Sequence, residues 1–255
     1  MRFAVSADAY DRFMGRYSVR LAPSFADFAS AAPGQRVLDV GCGTGALTTE
    51  LVHRLGASSV AAVDPSDQFA AAARERHPGV DVYVAPAEKL PFPDGEFDAS
   101  LAQLVVHFME DPVRGLAEMA RVARGGGLVA ACVWDHAGKQ TPLAPFWQAV
   151  HELDAAAPDE SGMAGGHQGH LTELFARAGL GNVEEVALPV SVRHATFEEW
   201  WEPFTLGVGP AGLYLSSLEH DRQTAIQERS RELLGPGPLT IQARVWAARG
   251  YDSPA

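Results

Sequence analysis

Cysteine is scarce in this chain. There are two in 255 residues, Cys42 and Cys132, with no CxxC pair and no Cys/His ligand spacing. That excludes a disulfide framework and a zinc module, gives no expected metal, and points to a reducing, cytoplasmic setting. Long apolar runs are also missing: none approaches the roughly 18 residues that span a bilayer. The opening stretch MRFAVSADAYDRFMGRYS has no apolar core of the kind a secretory signal carries. Neither secretion nor a membrane partner is expected. Basic residues are in deficit, 20 Lys+Arg against 32 Asp+Glu, for a net charge of −12. A nucleic-acid partner needs a basic face, so none is expected.

What is present is an ordinary globular composition, 47% hydrophobic and punctuated by 25 Gly and 17 Pro. The length suits one α/β domain with insertions, 1–255, and nothing in it specifies an oligomeric state. Residues 10–31 place Tyr10, Phe13, Met14, Tyr17, Leu21, Phe25 and Phe28 at spacings of three and four, which predicts one or two amphipathic helices. Strands are predicted over 36–40, 59–64, 80–85, 97–104 and 127–134, with helices following the first, second and fourth. This β/α alternation implies a doubly wound, mostly parallel sheet. Residues 135–170 read as a loop-rich stretch, 171–178 as a helix, and 182–192 and 239–248 as the last two strands of seven. The segment between those strands, with Phe197, Trp200, Trp201, Phe204 and Tyr214, is too long for a hairpin link and reads as a helical cap.

The chemistry concentrates in VLDVGCGTG, residues 37–45, where a buried strand ends at Asp39 and runs into Gly41, Cys42, Gly43, Thr44 and Gly45. Glycine lets backbone approach a ligand closely, and the next helix presents free N–H groups. Gly41-x-Gly43-x-x-Ala46 also fits the looser dinucleotide fingerprint, with Asp64 at the end of the next strand. The loop alone therefore leaves the cofactor open.

Further motifs follow in order: Asp64-Pro65, then Ala87-Glu88-Lys89-Leu90-Pro91-Phe92, then DGEFD at 94–98, then QLVVHFMEDP at 103–112. Over 36–134 this series resembles class I S-adenosylmethionine-dependent methyltransferases, most of all the methyltransferase type 11 group. The resemblance implies a Rossmann-like seven-stranded fold with helical cap insertions, S-adenosylmethionine as cofactor, S-adenosylhomocysteine as product, and a small-molecule acceptor. It implies a cofactor-binding core over 33–134, N-terminal helices (1–32) folded over the cofactor, and substrate-side insertions at 135–170 and 195–237. Gly41 to Gly45 would wrap the methionine and ribose portion, with Asp39 supporting the loop or meeting the amino group. Asp64 would accept from the ribose hydroxyls, and Pro65 would pack on adenine. Ala87 and Glu88 would border the adenine edge, and Gln103 would lie near the methionine end. One position departs from the pattern: Pro86 stands where the family carries an acid for the adenine amine. Tyr10 and Arg16 resemble residues that reach the methionine carboxylate, although the same helix reads equally as a packing element with a solvated basic face.

Methyl transfer to a hydroxyl, phenol or carbon acid requires a base, and His107, just after the fourth strand, is the first candidate. His136 holds the same edge after the fifth strand. Trp134, Phe146, Trp200 and Trp201 would join it in an apolar or aromatic acceptor pocket, or else form the core of the cap. Two competing readings are a nicotinamide-dependent oxidoreductase, which predicts a second βαβαβ half past residue 134, and a non-catalytic S-adenosylmethionine-binding protein.

Overall fold

The computed structural model describes residues 6–252. Its N-terminal run is helical from Ala7 to Phe28: α1 (Ala7–Tyr10) passes through one wide π-type turn (Asp11–Gly15) into α2 (Arg16–Phe28). Tyr17, Leu21 and Phe25, four apart, form the buried stripe of α2. Then come β1 (Val37–Val40), α3 (Ala46–Leu55), β2 (Val60–Asp64), α4 (Asp67–Arg76), β3 (Asp81–Val84), β4 (Phe97–Gln103), α5 (Pro112–Val122) and β5 (Ala123–Trp134). Local chemistry starts these helices. Ser66 accepts from the Phe69 N–H ahead of α4, and Asp111 accepts from the Arg114 N–H ahead of α5, with Pro112 in its first turn.

The sheet order is β3-β2-β1-β4-β5-β7-β6, completed by β6 (Leu180–His194) and β7 (Leu239–Asp252). The first five strands are parallel, and β7 runs antiparallel to both β5 and β6. Strand order reverses direction between β1 and β4, which opens a crevice at their carboxyl ends. Alternation along the central strands feeds two cores. Val37, Val60 and Ala62 pack with α2 and α3 on one face, while Leu38, Val40, Ala61 and Val63 pack with Leu116 and Met119 of α5 on the other. Both faces are covered, which explains why these strands read as unbroken apolar runs.

The stretch expected to be loop-rich contains α6 (Ala144–Leu153) before α7 (His170–Arg177). Pro145 lies in the first turn of α6, where the missing N–H costs nothing, so it opens a helix that buries Phe146, Trp147, Ala149 and Val150. Between β6 and β7 lie α8 (Phe197–Trp201), a 3₁₀ turn, α9 (Gly209–Ser216) and α10 (His220–Leu234). Arg229 of α10 pairs with Glu152 of α6 at 2.5 Å, joining the two inserted regions. No helix among the described residues is long and apolar enough to cross a membrane.

Candidate functional site

Where the sheet reverses, the loop from β1 to α3 carries three glycines in the left-handed region, with φ of 70° at Gly41, 55° at Gly43 and 95° at Gly45. Two of them make room for packing. A Cβ on Gly41 would lie 2.5 Å from a Val105 methyl, and one on Gly45 would lie 2.8 Å from His77 Nε2. Gly43 differs: its nearest neighbour would be the Tyr10 ring, at 3.9 Å. The loop is held from below, with Gly41 N–H and Cys42 N–H donating to Val63 O at 2.8 and 2.9 Å. The Cys42 thiol is buried, which pushes its pKa well up.

Asp64, at the end of β2, is 6% exposed. One carboxylate oxygen accepts from Gly43 N–H and the other from Ser66 N–H, each at 2.8 Å. Burial raises its pKa while these two bonds pull it back. Pro65 beside it is exposed. Asp39 accepts from the Thr48 hydroxyl at 2.6 Å. Burial, with a lesser contribution from the Asp64 charge, pushes the Asp39 carboxyl up to about 7.

The N-terminal helix closes over this loop. Tyr10 packs on Phe69 of α4 at 5.2 Å between ring centres, and burial pushes its hydroxyl up to about 12. Asp11 accepts from the Thr44 hydroxyl and pairs with Arg76 at 2.7 Å, while Arg76 also donates to Thr44 O. No local signal in the sequence marks this clamp, because Asp11 and Arg76 belong to no motif and are joined only by folding. Arg16, offered with Tyr10 for the methionine carboxylate or else as part of a solvated basic face, meets groups of β6 and α8. Its guanidinium meets His194 Nδ1 at 2.9 Å and Glu199 at 3.2 Å, on the side facing the cap, because six positions along a helix turn a side chain to another face. His194 is buried and also meets the Tyr17 hydroxyl at 3.0 Å.

At the ends of β4 and β5 several polar atoms lack partners. Gln103 donates to Ser18 O at 3.1 Å, but its Oε1 is buried and unpaired. His107 and His136 lie 5.4 Å apart between ring centres, with His107 Nδ1 and His136 Nε2 both buried and unpaired. Desolvation holds both rings neutral, His136 down to about 4 and His107 well below the usual range. Ala87 is buried. One oxygen of Glu88 accepts from the N–H groups of Glu110 (2.7 Å) and Asp111 (3.2 Å), bracing the entry to α5. The aromatic residues, read either as an acceptor pocket or as the core of the cap, pack into the core. Phe146 stacks on Phe204 at 4.7 Å, Trp134 meets Tyr17 edge-on at 6.4 Å, and Trp200 and Trp201 are 2% and 6% exposed.

Residues 38–131 match the family described as a methyltransferase domain. An uncharacterized methyltransferase of Mycobacterium bovis is 36% identical over 135 residues, 53% of this chain and 52% of that one. A ubiquinone/menaquinone biosynthesis C-methyltransferase of a Geobacter species is 38% identical over 125 residues, 46% of this chain and 51% of that one. The chain spans about half the length of the curated relatives it matches. A solved structure of a candidate type II methyltransferase from Anaeromyxobacter dehalogenans superposes with a TM-score of 0.64 at 25% identity, covering 92% of this chain and 97% of that one. An oxidoreductase of the dinucleotide-binding kind would continue past Trp134 into a second parallel half. This sheet instead continues past β5 into the antiparallel β7 and then β6, and over residues 38–131 the chain is similar to the methyltransferase domain family.

Proposed function

We propose that this chain catalyses methyl transfer from S-adenosylmethionine to a small organic acceptor, leaving S-adenosylhomocysteine. The observation that carries this is the open face of Gly43, flanked by Asp64 and Tyr10 at the switch point of the sheet. The residues present fit the cofactor: a Cβ-free approach at Gly43, a carboxylate at a strand end, and an unpaired Gln103 oxygen farther along the crevice. In this reading the backbone from Gly41 to Gly45 cradles the methionine and ribose portion. Each Asp64 oxygen retains a lone pair for a ribose hydroxyl. Pro65, Ala87 and Glu88 border adenine, and Gln103 Oε1 faces the methionine end. The cofactor supplies an electrophilic methyl group on a sulfonium; the protein aligns the acceptor and excludes water. His107 and His136, both neutral and both with a free ring nitrogen, are the candidates to receive an acceptor proton. The quinone-biosynthesis relative supports an organic acceptor with aromatic or apolar character. Two free, buried cysteines support a cytoplasmic setting.

Calorimetric titration tests the core of this reading. Micromolar binding of S-adenosylmethionine and S-adenosylhomocysteine is expected, and binding of a nicotinamide dinucleotide alone would overturn it.

Asp39 adds a pH signature. Its carboxyl, raised to about 7 by burial, must ionise to meet the cofactor ammonium. Binding then releases a proton below about pH 7, and affinity rises with pH by up to about tenfold per unit before levelling off. The sign for the free protein is opposite. A folded pKa above the unfolded one contributes stability at low pH that is lost as pH rises from about 4 to 7. Binding heats in buffers of different ionisation enthalpy measure the proton, and a pH-independent affinity would remove Asp39 from the ammonium contact.

A further inference from the structure

Next to His136 lies a cavity of about 490 Å³, bounded by the segment that follows β5, by α6 and by the loop after it. His136, Thr141, Trp147 and Glu160 contribute to its wall. Glu160 is 7% exposed, and among the described residues one donor reaches its carboxylate, the Trp147 indole N–H at 2.7 Å from Oε2. Burial, opposed by that bond, raises its pKa. A carboxylate this buried ordinarily collects two or three donors or an ion pair to offset its desolvation. No described cation lies within ion-pair distance of it. Lys139 and His151 stand elsewhere on the same wall, and of its two other acids Glu152 is paired with Arg229 and Asp159 accepts from Ser161. Glu160 Oε1 is therefore left for a donor that arrives from the cavity.

The same wall reaches the reactive edge of the sheet. His136 is 6% exposed with Nε2 unpaired, and its ring lies 5.4 Å from that of His107, which follows the strand ending at Gln103. A molecule in the cavity thus has a buried anion with one open acceptor on one side and the strand ends on another. The aromatic side chains of the cap are packed against one another, so they do not supply a purely apolar wall. Trp147 offers an indole beside the carboxylate, the pairing that suits an organic ammonium.

We infer that this cavity holds the acceptor and that the acceptor carries a protonated amino group bound by Glu160, with its methyl-accepting end toward His136. The inference rests on the methyltransferase reading above and deepens it to a class of substrate, small amines with an aryl or alkyl body.

The test is calorimetry with phenethylamine, its neutral counterpart 2-phenylethanol and the anion phenylacetate, each titrated into the protein with and without saturating S-adenosylhomocysteine. Phenethylamine is expected to bind at least about tenfold more tightly than the alcohol, with phenylacetate weakest. Glu160→Gln, which keeps an acceptor for Trp147 and removes the charge, is expected to bring the amine to the level of the alcohol while the melting temperature and S-adenosylhomocysteine affinity hold. Equal binding of amine and alcohol by the unaltered protein overturns the inference, as does an amine affinity that Glu160→Gln leaves unmoved. Absence of amine binding up to about 10 mM also overturns it. The wild-type selectivity stands as a test even where the variant fails to fold. Failure of S-adenosylhomocysteine itself to bind counts against the methyltransferase reading, and the arms run without it keep that failure separate.

Discussion

Replacing Asp64 with alanine is expected to weaken S-adenosylhomocysteine binding by at least about 100-fold. The carboxylate holds the N–H groups of Gly43 and Ser66, one on each oxygen, so its removal leaves two donors beneath the loop without partners. The proposed ribose contact disappears with it. Asp64→Asn retains one acceptor oxygen and should fall between the two in affinity. Titration of both variants, with thermal unfolding as a check on folding, measures the effect. An Asp64→Ala protein that binds within about threefold of the original would take this carboxylate out of the cofactor site.

Gly41→Ala is expected to be the most damaging single change in the loop for stability. Alanine at φ 70° pays for a left-handed backbone, and its methyl would sit 2.5 Å from a Val105 carbon that a β-branched side chain cannot swing aside. Together these cost roughly 3 kcal/mol, a fall in melting temperature of about 10 °C for a chain of this size. Gly43→Ala is the informative partner. Its Cβ meets nothing closer than the Tyr10 ring at 3.9 Å, so stability should drop by only about 1 kcal/mol while cofactor affinity drops sharply. Differential scanning calorimetry beside titration separates the two. Similar stability losses at both positions would mean that Gly43 is a packing glycine like its neighbours.

The core of the fold was readable because its signals are local and repeated. Leu38 and Val40, each followed within a few residues by a glycine turn or a helix start, announce a strand and crossover without any tertiary knowledge. The same holds for Asp39 and Asp64, whose place at strand ends follows from where the apolar runs stop. α6 was hidden because its flanks are full of Gly, Pro and His, and a proline that opens a helix has the same spelling as one that breaks it. The partners of Arg16 were hidden for a related reason. Spacing along a helix tells which residues share a face, but not which neighbour that face meets.

By itself the sequence determined the α/β alternation, the glycine loop and the acids beside it, since each depends on backbone conformation and burial period within a few residues. The tertiary structure alone decided which distant groups meet: Asp11 with Thr44 and Arg76, Arg16 with His194 and Glu199, His107 with His136, and Trp147 with Glu160 in the wall of a cavity. Most of these contacts join residues far apart in the chain, and their geometry is set by how the helices and inserted loops pack on the sheet. No local periodicity records that packing.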